Sequence, residues 1–155
     1  MKTAKWALLV LVVTCAVVSQ ASAQERRLKH SDLPPAVQQT ADQQSRGATV
    51  RGYSSEKNGD RLEYEVAMRL HGHNRDVTID ADGSVLEIEE EVALDSLPEA
   101  VRAGLRQLAG SGRITKVESL TKRGALVAYE AQVRTGAKRS EVQVGPDGKP
   151  LAHPE

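Results

Sequence analysis

Between residues 61 and 70 the apolar side chains Leu62, Tyr64, Val66, Met68 and Leu70 fall on every second position, with Glu63, Glu65 and Arg69 between them. That is the period of a strand buried on one side only. His71-Gly72-His73 breaks the pattern. Val77 and Ile79 resume it, and Asp82-Gly83 supplies a hairpin turn. Upstream, residues 49–55 read as a strand carrying Val50 and Tyr53, and Asn58-Gly59 marks a tight turn. Downstream, residues 85–91 complete the meander. Their Glu87, Glu89, Glu90 and Glu91 suggest a charged sheet edge protected against pairing with other chains. The whole reads as a four-stranded β-meander with one apolar and one charged face.

Helical spacing precedes this meander. Ser31 or Asp32 can cap a helix running to about Gln44, with Pro34 and Pro35 tolerated in its first turn and a narrow apolar stripe of Leu33, Ala36, Val37 and Ala41. The pattern then begins again. Leu33, Pro34, Ala36 and Val37 have counterparts 64 residues on, in Leu97, Pro98, Ala100 and Val101. At an offset of 65, Tyr64-Glu65 matches Tyr129-Glu130, and Asp82-Gly83 matches Asp147-Gly148. The second helix, from Leu97 to about Ala109, carries the stripe Leu97, Val101, Leu105 and Leu108 and stops at Gly110-Ser111-Gly112. Strands follow at residues 114–120, 126–134 and 138–144, and a short last strand at Pro150-Leu151. The predicted fold is α+β: a tandem repeat of one helix followed by a four-stranded antiparallel meander, two-layered, with the helices on one sheet face. Residues 31–91 form the first repeat and residues 92–155 the second.

Composition changes the picture at the start of the chain. Lys2 and Lys5 precede an apolar run from Trp6 to Val18, and Ala21-Ser22-Ala23 is a small-x-small cleavage site. Residues 1–23 therefore read as a secretory signal peptide cleaved after Ala23, and residues 24–30 as a flexible lead-in. The apolar run is short for a bilayer span, so no stable membrane insertion is expected after cleavage. Cys15 sits in a weak lipobox-like context, Val12-Val13-Thr14-Cys15, which leaves lipidation as an alternative.

Cleavage takes 23 of the 155 residues and leaves 132, enough for one compact domain. The 21 basic residues fall to 19 against 21 acidic ones, which gives no basic surplus for nucleic acid. Cys15 is the sole cysteine, so the secreted part has no thiol or disulfide chemistry, and its aromatics are Tyr53, Tyr64 and Tyr129 alone. The expected address is periplasmic or secreted.

The Leu-Pro-x-Ala-Val start of each helix, the Tyr-Glu pairs and the (Val/Ile)-x-x-Asp-Gly-x-x-Leu closes resemble the PepSY-like, or β-lactamase-inhibitor-protein-like, family of small secreted bacterial proteins. The resemblance spans nearly the whole secreted chain. It implies a tandem α/β repeat, with the two sheets side by side as one arrangement, and a non-enzymatic role. It carries over no catalytic or ligand residues. Gly145-Pro146-Asp147-Gly148 departs from Asp80-Ala81-Asp82-Gly83, so a shared role for Asp80 does not follow.

Candidate chemistry is sparse. His71, His73 and Asp76 offer two imidazoles and a carboxylate, enough ligand types for zinc. The second half has Thr135-Gly136-Ala137 at the equivalent place, and an exposed polar turn explains the histidines better. Asp80-x-Asp82-Gly83 lacks the spacing of a calcium loop and reads as a turn. There is no nucleophile elbow, phosphate loop or dinucleotide fingerprint. No cofactor is expected. The favoured function is a non-enzymatic binding module whose charged sheet face, with Glu63, Glu65, Arg69, Glu130, Gln132 and Arg134, contacts another envelope protein, a peptidase being one candidate. The rivals are a metal- or small-ligand-binding envelope protein, and a structural or stress-related envelope protein with no discrete site.

Overall fold

The computed structural model describes residues 25–155, so the signal sequence and Cys15 lie outside the described residues. Among those residues, eight strands form one antiparallel sheet in sequence order. They are β1 (Arg26–Leu28), β2 (Thr49–Asn58), β3 (Arg61–Leu70), β4 (His73–Asp80), β5 (Val85–Glu91), β6 (Arg113–Lys122), β7 (Ala125–Thr135) and β8 (Lys138–Val144). Helix α1 (Pro35–Gln44) joins β1 to β2, and helix α2 (Glu99–Ala109) joins β5 to β6.

This corrects the expected tandem repeat of a helix and a four-stranded meander. Acidic β5 is not a sheet edge. It lies between β4 and β6, with Glu87 opposite Lys122 and Glu91 opposite Glu118. Two meanders ending in unpaired backbone would each expose a row of N–H and C=O groups, and joining β5 to β6 satisfies both. Nor does the second half close with a fourth strand: only an isolated bridge, Val144 to Pro150, forms there. The opposite edge gains β1, since Arg26–Leu28 in the polar lead-in pair with Tyr53 to Ser55. Sequence periodicity is blind to both events, because strand pairing is non-local.

Each helix covers its own part of one sheet face. Leu33, Val37 and Ala41 pack with Tyr64, Val66, Met68, Val77 and Ile79. Leu97, Val101 and Leu105 pack with Val117, Ala131 and Val144. Ile88 belongs to the first core and lies opposite Thr121, two pleats from Val117 in the second, so both helices share one face. The expected last member of the α2 stripe, Leu108, is exposed, and Gly104 is buried instead. The reason is the Gly145–Gly148 turn, which lies so close to α2 that a Cβ on Gly104 would overlap the Gly148 carbonyl. Arg75 of β4 latches α1 by donating from Nη1 to the Gln44 carbonyl (3.0 Å) and from Nη2 to Gln44 Oε1 (3.0 Å). A guanidinium there satisfies a carbonyl the helix end would leave unpaired. No helix among the described residues is long and apolar enough to cross a membrane.

Candidate functional site: the open face of the sheet

The face opposite the helices is defined by register. Residues directly opposite in antiparallel strands share a face. One row runs Gly52, Ala67, Asp76, Glu89, Leu120, Ala128 across six strands. A second runs Ser54, Glu65, Thr78, Glu87, Lys122, Ala125. A third runs Glu91, Glu118, Glu130, Gln143. The small side chains at Gly52 and Ala67 leave a trough of about 580 Å³, also bordered by Arg51, Glu65, Asp76 and Lys116. Leu120 and Ala128, at the other end of the first row, are buried at 4% and 0% exposure.

At the centre, carboxylate oxygens of Asp76, Glu89 and Glu118 all lie within 4.8 Å of one another. Glu118 is 4% exposed and contacts the Lys116 ammonium. Burial acts to lower the Lys116 ammonium. The bond to Glu118 and the charges of Glu118, Asp76 and Glu91 outweigh it, and hold the group above its ordinary value. Lys116 is thus the cation of this cluster, a role that three converging carboxylates would otherwise hand to a metal. Burial raises Asp76; Glu118 adds to the rise while Lys116 and Arg51 oppose it. Glu65 rises through burial and then the charge of Asp76. Glu89 moves furthest, pushed up to about 8 by burial, by a hydrogen bond with Glu87 and by the charges of Glu118, Glu87 and Glu130.

A neutral Glu89 has a consequence for stability. In the unfolded chain it loses its proton near 4.5, and in the fold it keeps the proton to about 8. Between those values the folded state binds the extra proton, so its contribution to stability falls as pH rises. Asp76 and Glu89 are only half-buried, so solvent screening reduces the repulsion between them. Glu89→Gln is therefore expected to stabilise the protein by about 1–2 kcal/mol above pH 8 and to change little at pH 4. Urea unfolding at the two pH values measures this. A variant as stable as the parent at both would contradict the assignment.

The residues singled out in the sequence separate into three groups. His71, with φ +50°, sits in the β3–β4 turn and His73 opens β4, whereas Asp76 lies on the cluster with Glu89 and Glu118. The ligand set His71, His73 and Asp76 is not brought together as a cluster. Glu65 borders the trough. Glu63 pairs with Arg61 at 3.6 Å, Arg69 Nε donates to the Gly72 carbonyl at 2.9 Å and Arg134 Nε to the Gly136 carbonyl at 3.0 Å, so these three serve turns at the rim. Glu130 accepts from Gln143 Nε2 at 2.7 Å, and Gln132 lies beside Lys116 along a second hollow. Sequence reasoning missed Lys116 and Glu118. Their alternation with Val117 was visible, but the register that sets them beside Asp76 was not.

Neither a protein-family model nor a curated protein matches the chain. The PepSY part of the resemblance therefore rests on the short motifs alone. Solved structures do match. A proposed periplasmic protein from Bacteroides eggerthii superposes with a TM-score of 0.63 at 17% identity, over 77% of this chain and 86% of that one. A DUF2874 family protein from Bacteroides ovatus gives 0.61 at 17%, over 77% and 84%. A BLIP-like protein from Bacteroides fragilis gives 0.57 at 21%, over 75% and 81%. At these identities the likeness is one of fold.

Proposed function

We propose that this protein is a non-enzymatic binding module of the bacterial envelope, and that the open sheet face is its docking surface for another protein. The observation that carries the reading is the asymmetry of the sheet. Two helices cover one face, while the other carries a trough and fixed charges with no helix packed over it among the described residues. Strand-borne side chains held on both sides by backbone ladders form a preorganised surface, which reduces the entropy lost on binding. Mixed charge around small residues suits specific recognition more than non-specific adhesion. The signal-like residues 1–23 and the fold shared with a proposed periplasmic protein support the address.

The chemistry available favours occlusion over catalysis. Lys116 neutralises Glu118, and Glu89 holds its proton chiefly because it is buried, with the hydrogen bond to Glu87 adding to the effect. A peptidase stays a candidate partner on the sequence resemblance alone, and the BLIP-like neighbour is in keeping with an enzyme as the partner. The test is affinity capture from a native envelope extract with the parent protein and with Glu65→Arg, which reverses charge beside the trough. A partner held by the parent and lost with the variant is the expected result. Equal recovery by both, or nothing above background, counts against this surface.

A further inference from the structure

One end of the open face is already in contact with the chain itself. After the Val144 to Pro150 bridge, residues 151–155 run without regular structure toward the sheet. The Glu155 backbone N–H donates to Gln143 Oε1 at 2.8 Å, and the Glu155 carboxylate lies 3.5 Å from Lys122 Nζ. Gln143 is on β8 and Lys122 on β6, so Glu155 bridges across β7, the strand that carries Ala128.

We propose that this end of the face is a subsite for an extended, acidic peptide segment, and that residues 151–155 fill it as an intramolecular strap until a partner segment of the same chemistry displaces them. The partner in question is the docking protein proposed above, so the inference rests on that reading. Two features make a reader of peptide. Gln143 Nε2 is tied to Glu130 Oε2 at 2.7 Å, which fixes the amide with Oε1 presented to a backbone N–H. Lys122 offers a cation on a face otherwise dominated by carboxylates, and its only other partner among the described ion pairs is Glu87 at 3.6 Å. The pair with Glu155 is long and about one-third exposed on each side, so it holds the strap weakly and permits exchange.

The test is made on the isolated full chain by nitrogen-15 NMR. In the Glu155→Gln variant the Gln143 side-chain amide and the Ala128 backbone amide are expected to shift away from their parent positions. Adding the free peptide Leu-Ala-His-Pro-Glu to that variant should return them toward the parent positions, with a dissociation constant of about 1 mM. The same peptide ending in Gln should bind about tenfold more weakly, and adding Lys122→Ala to the variant should abolish the response. Overturning results are no peptide-induced shift at these two amides up to about 10 mM, an equal response to both peptides, or a response that survives Lys122→Ala. Because no partner is present, failure here leaves the docking surface to its own capture experiment.

Discussion

Gly148→Ala is expected to destabilise the protein by about 3 kcal/mol, the largest loss foreseen for removing no contact at all. Gly148 has φ +80°, in the left-handed region, and a Cβ built on it would overlap the carbonyl of Ala100 in the first turn of α2. The turn residue therefore faces two demands at once. A side chain would raise the backbone energy by about 1–2 kcal/mol and would push the helix off the sheet. Gly124 provides the comparison. It has φ +81° with open space around it, so Gly124→Ala should cost only the conformational part, about 1 kcal/mol. Urea unfolding of both variants measures the difference. Equal losses would show that α2 does not depend on close approach to this turn.

Lys116→Met should cost about 2–3 kcal/mol at pH 7.5, and Glu118→Gln should restore most of it in the double variant. The Glu118 side chain is 6% exposed and Lys116 is 25% exposed. Removing the ammonium leaves a buried carboxylate beside Asp76 and Glu89 with no cation to offset it. Removing the charge on Glu118 as well removes the cause of the penalty. Lowering the pH should shrink the loss in the single variant, since protonated carboxyls need no counter-ion. A double-mutant cycle by chemical denaturation gives the coupling. A single variant within about 0.5 kcal/mol of the parent would show that Lys116 is not the cation of this cluster.

Much of the local structure was legible because it depends on neighbours in sequence. Alternation from Leu62 to Leu70 required a one-sided strand, and β3 spans Arg61–Leu70. The Leu97, Val101, Leu105 stripe required a helix with a buried face, and all three are in the second core. Asp82-Gly83 and Asp147-Gly148 required turns, and both glycines have positive φ. The site was legible only in pieces. Glu65 and Asp76 stand out on their own strands, but the register that sets Asp76 beside Glu89 and Glu118 joins residues far apart in the chain. The glutamates of β5 suggest edge protection, since four in five residues are hard to place inside a sheet without knowing their partners.

The sequence by itself determined the repeating units of secondary structure, the apolar face of each, and the turns that separate them, because these follow from side-chain period and glycine conformation. Only the tertiary structure decided that β5 pairs with β6 to make one sheet, and that β1 rather than a fourth late strand completes it. Strand pairing couples residues far apart in the chain through identical backbone groups, so no local pattern encodes it. The candidate site inherits that dependence. Asp76, Glu89, Lys116 and Glu118 come from three strands, and a change of one residue in register would turn a strand's cluster residues to the helix side.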